Sequence, residues 1–207
     1  MTEEIYNLVL QKVQHGWMMK EKCAWFERIY SSLLHQGQPV VSVEIGVWYG
    51  MSLVAQGLMA KELMPTTCKV YGIDPWTPEA ALEGVNAKSN EDWWKERDYR
   101  DPMDRLLINI HTLGLTGIVG LLPMRSEDAA SLFTEIDVLH IDGNHSEEKS
   151  TLDVSLYEPK VKKGGWIIAD DTVWDTVHKA ELMLDERCTL LEKFIKDGQG
   201  FSVYQKK

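Results

Sequence analysis

Residues 136–174 read IDVLHIDGNHSEEKSTLDVSLYEPKVKKGGWIIADDTVW. Two short apolar runs, Val138–Ile141 and Trp166–Ala169, have the length and β-branched content of buried strands. Asp142 closes the first run, and Asp170 with Asp171 closes the second. Between them Glu147 to Lys160 has helical periodicity, with Leu152, Leu156 and Val161 on one face and Gly164–Gly165 as the break. Strand, helix, strand implies a parallel pair with a right-handed crossover. Ligands of such sheets bind beyond the carboxyl ends of the strands. Asp142, His145, Asp170 and Asp171 fall there. Three carboxylates at one edge repel each other, and a divalent cation is the common remedy.

Upstream the same grammar repeats. Val40–Ile45 reads as a buried strand, Gly46-Val-Trp-Tyr-Gly50 as a turn, and Met51 to about Leu63 as a helix. A glycine turn lets a ligand approach the backbone, and the helix end offers free N–H groups. It is not GxGxxG, which argues against a dinucleotide pyrophosphate and so against a nicotinamide oxidoreductase. The next strand, Lys69–Ile73, ends at Asp74, where an acid commonly meets ribose hydroxyls or caps a turn before Pro75. Residues 75–112 are the least regular part. Loops are expected at Pro75–Gly84 and at Asn90–Trp94 with Asp101–Pro102, carrying Trp76, Trp93, Trp94 and Tyr99 as a lid or as packing. A helix, Met103–Leu113, leads to a strand, Ile118–Leu122, and a short helix reaches Phe133. A helix over His178–Arg187 and a hairpin, Thr189–Ile195 and Gly200–Tyr204 around Lys196–Gln199, end the chain.

Five βα units followed by a hairpin predict an α/β chain with a seven-stranded, mostly parallel sheet, helices on both faces and an antiparallel last strand. Residues 3–35 read as two helices divided at Gly16 and ended by Gly37–Pro39. They form an N-terminal cap (1–37) on a core (38–207) of one domain. At 207 residues the chain suits one full core. A net charge of −10 argues against nucleic acid. No apolar run approaches a membrane span, and MTEEIYNLVLQK lacks a signal-peptide pattern. Cys23, Cys68 and Cys188 are far apart with no CxxC, so reduced thiols and a cytoplasmic protein are expected.

The motifs VEIGVWYG, YGIDPW, MRSEDAASLF, LHIDGNHSEE and GGWIIADDTVW, in this order, resemble the class I S-adenosylmethionine-dependent methyltransferases. Within these they are most similar to small-molecule O-methyltransferases of the macrolide-sugar type, with catechol O-methyltransferase more distant. The resemblance spans about residues 40–205. It implies a Rossmann-like fold. It implies that Glu44, Gly46, Trp48, Gly50 and Ser52 cradle the methionine part of S-adenosylmethionine, and that Asp74 takes the ribose. Ser126 and Glu127 would edge the adenine. Asp142, Asp170 and Asp171 would hold magnesium (Mg2+), Asp142 also bordering the cofactor, and the catalytic residues would be Asp142 and His145, the latter as base. Asp171 stands where the catechol enzymes carry Asn, which adds a negative charge and makes a metal more needed.

The chemistry implied is in-line attack of a hydroxyl oxygen on the sulfonium methyl. The substrate would be a small-molecule or sugar hydroxyl, and a homo-oligomer is compatible. A metal-independent methyltransferase on the same fold and a non-catalytic cofactor-binding module are the alternatives. Paired aspartates after a strand also serve as helix caps. His15, His35, His111, His140 and His178 show no partner pattern. His140 is expected out of register with Asp142, buried among helices.

Overall fold

A computed structural model describes residues 1–34, 38–84 and 88–207. The helices are α1 (Thr2–Lys12), α2 (Lys20–Leu33), α3 (Met51–Leu63), α4 (Pro78–Ala81), α5 (Lys88–Lys95), α6 (Pro102–Thr112), α7 (Ser126–Ala129), α8 (Glu147–Tyr157) and α9 (His178–Arg187). The strands are β1 (Val40–Ile45), β2 (Cys68–Ile73), β3 (Val119–Leu122), β4 (Ile136–Ile141), β5 (Val161–Asp170), β6 (Cys188–Lys196) and β7 (Gln199–Lys206). They form one seven-stranded sheet in the order β3-β2-β1-β4-β5-β7-β6. β1 to β5 pair in parallel, and β7 runs antiparallel to both of its neighbours. The fold is thus the expected Rossmann-like one, with two helices at its N-terminus.

Strand alternation sorts the core into two layers. Val138 and Ile168 pack with Val9 of α1, Phe26 of α2 and Leu53 of α3. Leu139 and Ile167 pack on the other face with Val154 of α8 and Leu184 of α9. Every residue from Met51 to Ala60 is buried, so α3 is wrapped on all sides.

The chain order turns back between β1 and β4, the place where open parallel sheets leave a crevice. Register sharpens this. Ile45 lies beside Ile73 and Ile141, and Ile141 beside Ala169. The next residue of each strand therefore falls in one row: Asp74, Gly46, Asp142 and Asp170.

Several local expectations change. β5 begins at Val161, so Gly164–Gly165 lie inside the strand and do not end the helix. Pro159, just past α8, marks the helix end instead. α8 buries Ser150, Asp153, Val154 and Tyr157, while Leu152 and Leu156 are only half-buried. Asn90–Trp94 is helical, within α5, where an amphipathic turn with i,i+4 pairs Lys88–Asp92 and Glu91–Lys95 forms. His35 and the expected helix end at Gly37 lie outside the described residues. Among the described residues no helix is long and apolar enough to cross a membrane. The three cysteines are buried and free.

Candidate active site

A cavity of about 460 Å³ opens at the row of strand ends. Its floor is the glycine turn. Gly46 has φ +80°, and a Cβ there would lie 1.9 Å from the Asp142 carbonyl oxygen, so only glycine lets β1 and β4 meet this closely. Gly50, also at φ +80°, opens α3. Asp74 staples the turn. Its Oδ2 accepts from the Val47 and Trp48 amides at 2.9 Å each, and its Oδ1 from the Trp76 amide at 2.7 Å. Burial raises its pKa, opposed by those three amides. A carboxylate has about four acceptor positions, so one remains for a ligand hydroxyl.

Gly46, Trp48, Gly50, Ser52, Asp74, Ser126, Glu127 and Asp142 all line the cavity. Glu44 lies beneath it, fully buried. It accepts from Ser52 Oγ at 2.7 Å and Gln56 Nε2 at 2.6 Å, and burial pushes its carboxyl up to about 8. Glu44 therefore reaches the cavity only through Ser52.

The acidic end holds a residue that sequence reasoning misplaced and one that it missed. Asp142, the residue just past β4, is two after His140 and continues the strand's alternation, hence lies on the same side of the sheet, and the expected mismatch of register is wrong. His140 is fully buried at the site, with Nδ1 3.1 Å from Glu44 Oε2 and Nε2 3.4 Å from Asp170 Oδ2. Neither contact has hydrogen-bond geometry, so both ring nitrogens are buried without a bond. Burial, then the Lys22 ammonium, pulls the ring down to about 3, which keeps it neutral. The missed residue is Lys22. Its ammonium binds Asp170 and lies 3.9 Å from Asp142 Oδ2, and the residue is 3% exposed. The signal was present: Lys22, Phe26, Ile29, Tyr30 and Leu33 recur on one buried face of α2, with the lysine on the apolar stripe.

Asp142, Asp170 and Asp171 do not converge as one set. Among the described residues their ligand atoms fall into two groups that share Asp142, each within 4.8 Å: His140–Asp142–Asp170 and Asp142–His145–Asp171. Alternation along the chain sends adjacent Asp170 and Asp171 different ways, and Asp171 leaves the strand at φ +53°. His145 Nε2 lies 2.9 Å from Asp171 Oδ2. Burial lowers the imidazole's pKa, but the Asp171 charge and hydrogen bond outweigh it, and the net shift is upward. Asp171 shifts down, its own burial being outweighed by His145.

At the far wall Ser126 Oγ donates to Asp153, and Glu127 pairs with Lys149 at 3.1 Å. Trp48 has rings of Trp94 and Tyr99 at 4.9 and 5.3 Å, and Trp93 meets Trp17 of the N-terminal segment at 4.7 Å. Of the aromatics of residues 75–112, Trp93, Trp94 and Tyr99 therefore form one rim of the cavity, while Trp76 is buried in the core.

The described donors suit a divalent cation chemically. Carboxylate oxygens and a neutral imidazole without a bond are the ligands such ions take. The Lys22 ammonium holds two of the same carboxylates.

The chain resembles solved structures along its whole length. The O-methyltransferase NovP matches with TM-score 0.75 at 14% identity, covering 100% of both chains. The O-methyltransferase from Bacillus cereus in complex with SAH matches with TM-score 0.63 at 14% identity, covering 100% of this chain and 90% of that one. The O-methyltransferase TomG from Streptomyces achromogenes, in complex with SAM, matches with TM-score 0.65 at 12% identity, covering 99% and 90%. No curated protein matches the chain. A family model described as a methyltransferase domain matches residues 43–172, from the middle of β1 to just past β5. The chain belongs to this family of methyltransferase domains.

Proposed function

We propose that the protein transfers a methyl group from S-adenosylmethionine to a hydroxyl of a small molecule or sugar. The observation that carries this reading is the His145–Asp171 pair on the wall of the same cavity as the glycine turn. When bound, S-adenosylmethionine supplies the methyl carbon on a sulfonium. The turn Gly46–Gly50, which lines the cavity at the N-terminus of α3, would take its methionine part, and Asp74 keeps one acceptor for a ribose hydroxyl. Asp153 and Ser126 stand at the far wall for the adenine. Three solved O-methyltransferases of this fold, two of them holding SAH or SAM, support the assignment.

His145 takes the hydroxyl proton. Asp171 holds its Nε2, leaving Nδ1 as the accepting nitrogen. Asp142 and Asp170 would hold a divalent cation, magnesium through their oxygens alone or a transition ion that adds His140, and either would supply Lewis acidity to the hydroxyl. Asp171 thus serves His145 rather than the ion. The Trp48–Trp94–Tyr99 rim would hold the acceptor and exclude water.

A second reading, metal-independent transfer on the same fold, is favoured by Lys22, whose ammonium already neutralises the acidic end. Incubation with labelled S-adenosylmethionine and a panel of hydroxylated sugars and phenols, with magnesium or with excess chelator, tests both. Transfer to no hydroxyl acceptor, with no binding of S-adenosylhomocysteine by calorimetry, refutes the proposal. Full activity in chelator selects the second reading. We further place the protein in the cytoplasm as one domain, 1–207, its three reduced thiols being consistent with that compartment.

A further inference from the structure

The buried lysine at the acidic end is unusual in position as well as burial. Lys22 lies in the first turn of α2, where the helix's own dipole disfavours a cation. A lysine is rarely buried unless paired. Its position is held by packing one turn later, where Phe26 meets the His140 ring edge-on at 5.5 Å. The carboxylates it touches, Asp170 directly and Asp142 at 3.9 Å, are those that with His140 make a cation-binding group. His140 supplies an independent sign of a ligand: it is fully buried, and both its ring nitrogens lack a hydrogen bond. Two cations on one pair of carboxylates, in a site this closed, repel each other strongly.

We propose that Lys22 is the resident cation of this site: its ammonium and a divalent cation compete for Asp142 and Asp170, so the ion enters only by expelling Lys22 and loosening the start of α2. The inference deepens the proposed function, on which its catalytic meaning rests. The N-terminal segment then acts as the regulator of the metal site. With Lys22 seated, the acidic end is neutralised from within. With Lys22 withdrawn, three ligand atoms are free for the ion, and Met18 and Met19, which line the same cavity just before α2, move with the helix end.

The test uses Mn2+ alone, on the full chain. By calorimetry Lys22→Met should bind Mn2+ about 10- to 100-fold more tightly than the wild type, the factor a charge-assisted hydrogen bond is worth. Equal or weaker binding by the variant, or no binding by either protein, overturns the proposal. Should the variant fail to fold, hydrogen exchange on the wild type decides. Saturating Mn2+ should speed exchange of the amides of Lys20–Leu33, and unchanged or slower exchange there overturns the proposal. Neither readout needs methyl transfer, so a failure of the proposed reaction is seen separately in the labelled-cofactor assay.

Discussion

Replacing Gly46 by Ala should be among the most damaging single-atom additions this chain can suffer. Three glycines at left-handed φ make the comparison. At Gly117, φ +85°, an added Cβ meets nothing within 4 Å. Only backbone strain is added, about 1–2 kcal/mol. At Gly50, φ +80°, the Cβ would lie 2.4 Å from Leu106 Cδ1, a side-chain tip that can give. Overpacking adds about 1–3 kcal/mol to the strain. At Gly46 the nearest atoms are backbone: Asp142 O at 1.9 Å, Asp142 C at 2.5 Å and Gly143 Cα at 2.7 Å. They can retreat only if β1 and β4 part, which strains the 2.8 Å bond from the Asp142 amide to the Ile45 carbonyl. Adding that bond at about 1 kcal/mol brings Gly46→Ala to about 4 kcal/mol or more. For a chain of this size each kcal/mol lowers Tm by about 2–4 °C, so a fall of about 8–16 °C is expected, against about 2–8 °C for Gly117→Ala. Thermal unfolding followed by circular dichroism reads all three. A Gly46→Ala protein no less stable than Gly117→Ala would refute the close approach of the two strands, and with it the cavity floor.

Asp74→Ala should cost about 3 kcal/mol in urea unfolding, because three part-buried amides lose their acceptor at about 1 kcal/mol each. Asp74→Asn keeps one oxygen and should lose less, and unchanged S-adenosylhomocysteine affinity in it would remove the ribose role. Asp153, raised to about 7 chiefly by burial, destabilises the fold progressively as pH climbs from about 4 to 7, because the unfolded chain gives up that proton first. Asp153→Asn escapes this, so its stability relative to wild type should rise across that window and level off above pH 7; parallel curves from pH 4.5 to 8.5 would contradict the burial. His145→Ala should lower turnover by about 10²–10⁴-fold with cofactor affinity near wild type, and a loss under threefold would remove it as the base.

Elements whose signals are local were legible in the sequence. The strand β1, the helix α9 and the C-terminal hairpin follow from apolar runs and turn residues, and the acids at the strand ends follow from where those runs stop. What the sequence hid depends on pairing between distant segments. Lys22 meets Asp170 across 148 positions, and nothing near either residue announces the other. Only the lysine's place on an apolar stripe hinted at it. His140 was misassigned by a parity slip, since residues two apart on a strand share a face. The division of the carboxylates into two groups follows from that same alternation and from the left-handed turn at Asp171, which its sequence context does not signal. Gly164–Gly165 read as a helix breaker; they fall in the break of register between the pairs Ile136–Val161 and Val138–Trp166, Gly164 at φ +77°, so what they interrupt is the β4–β5 ladder and not α8.

The last strand in the sequence is not the last strand in the sheet. β7 lies between β5 and β6, with Phe201, Val203 and Tyr204 fully buried. β6 therefore has no partner until β7 arrives, and an unpaired strand carrying Leu190, Leu191 and Ile195 is a hazard while the chain waits. Its Glu192, Lys193 and Lys196 are the charges that discourage intermolecular pairing in that interval. The two-residue turn at Asp197–Gly198 makes closure local and fast, on the microsecond scale of hairpins. Gly198 and Gln199, in and beside that turn, also line the cavity, and the Gly200 carbonyl accepts from the Thr172 amide just past Asp171. The pocket wall is thus finished only when the hairpin folds β7 back onto β6. A ligand can bind the completed pocket only after the hairpin has closed, so it can hold the finished molecule together but cannot guide the earlier steps of its folding.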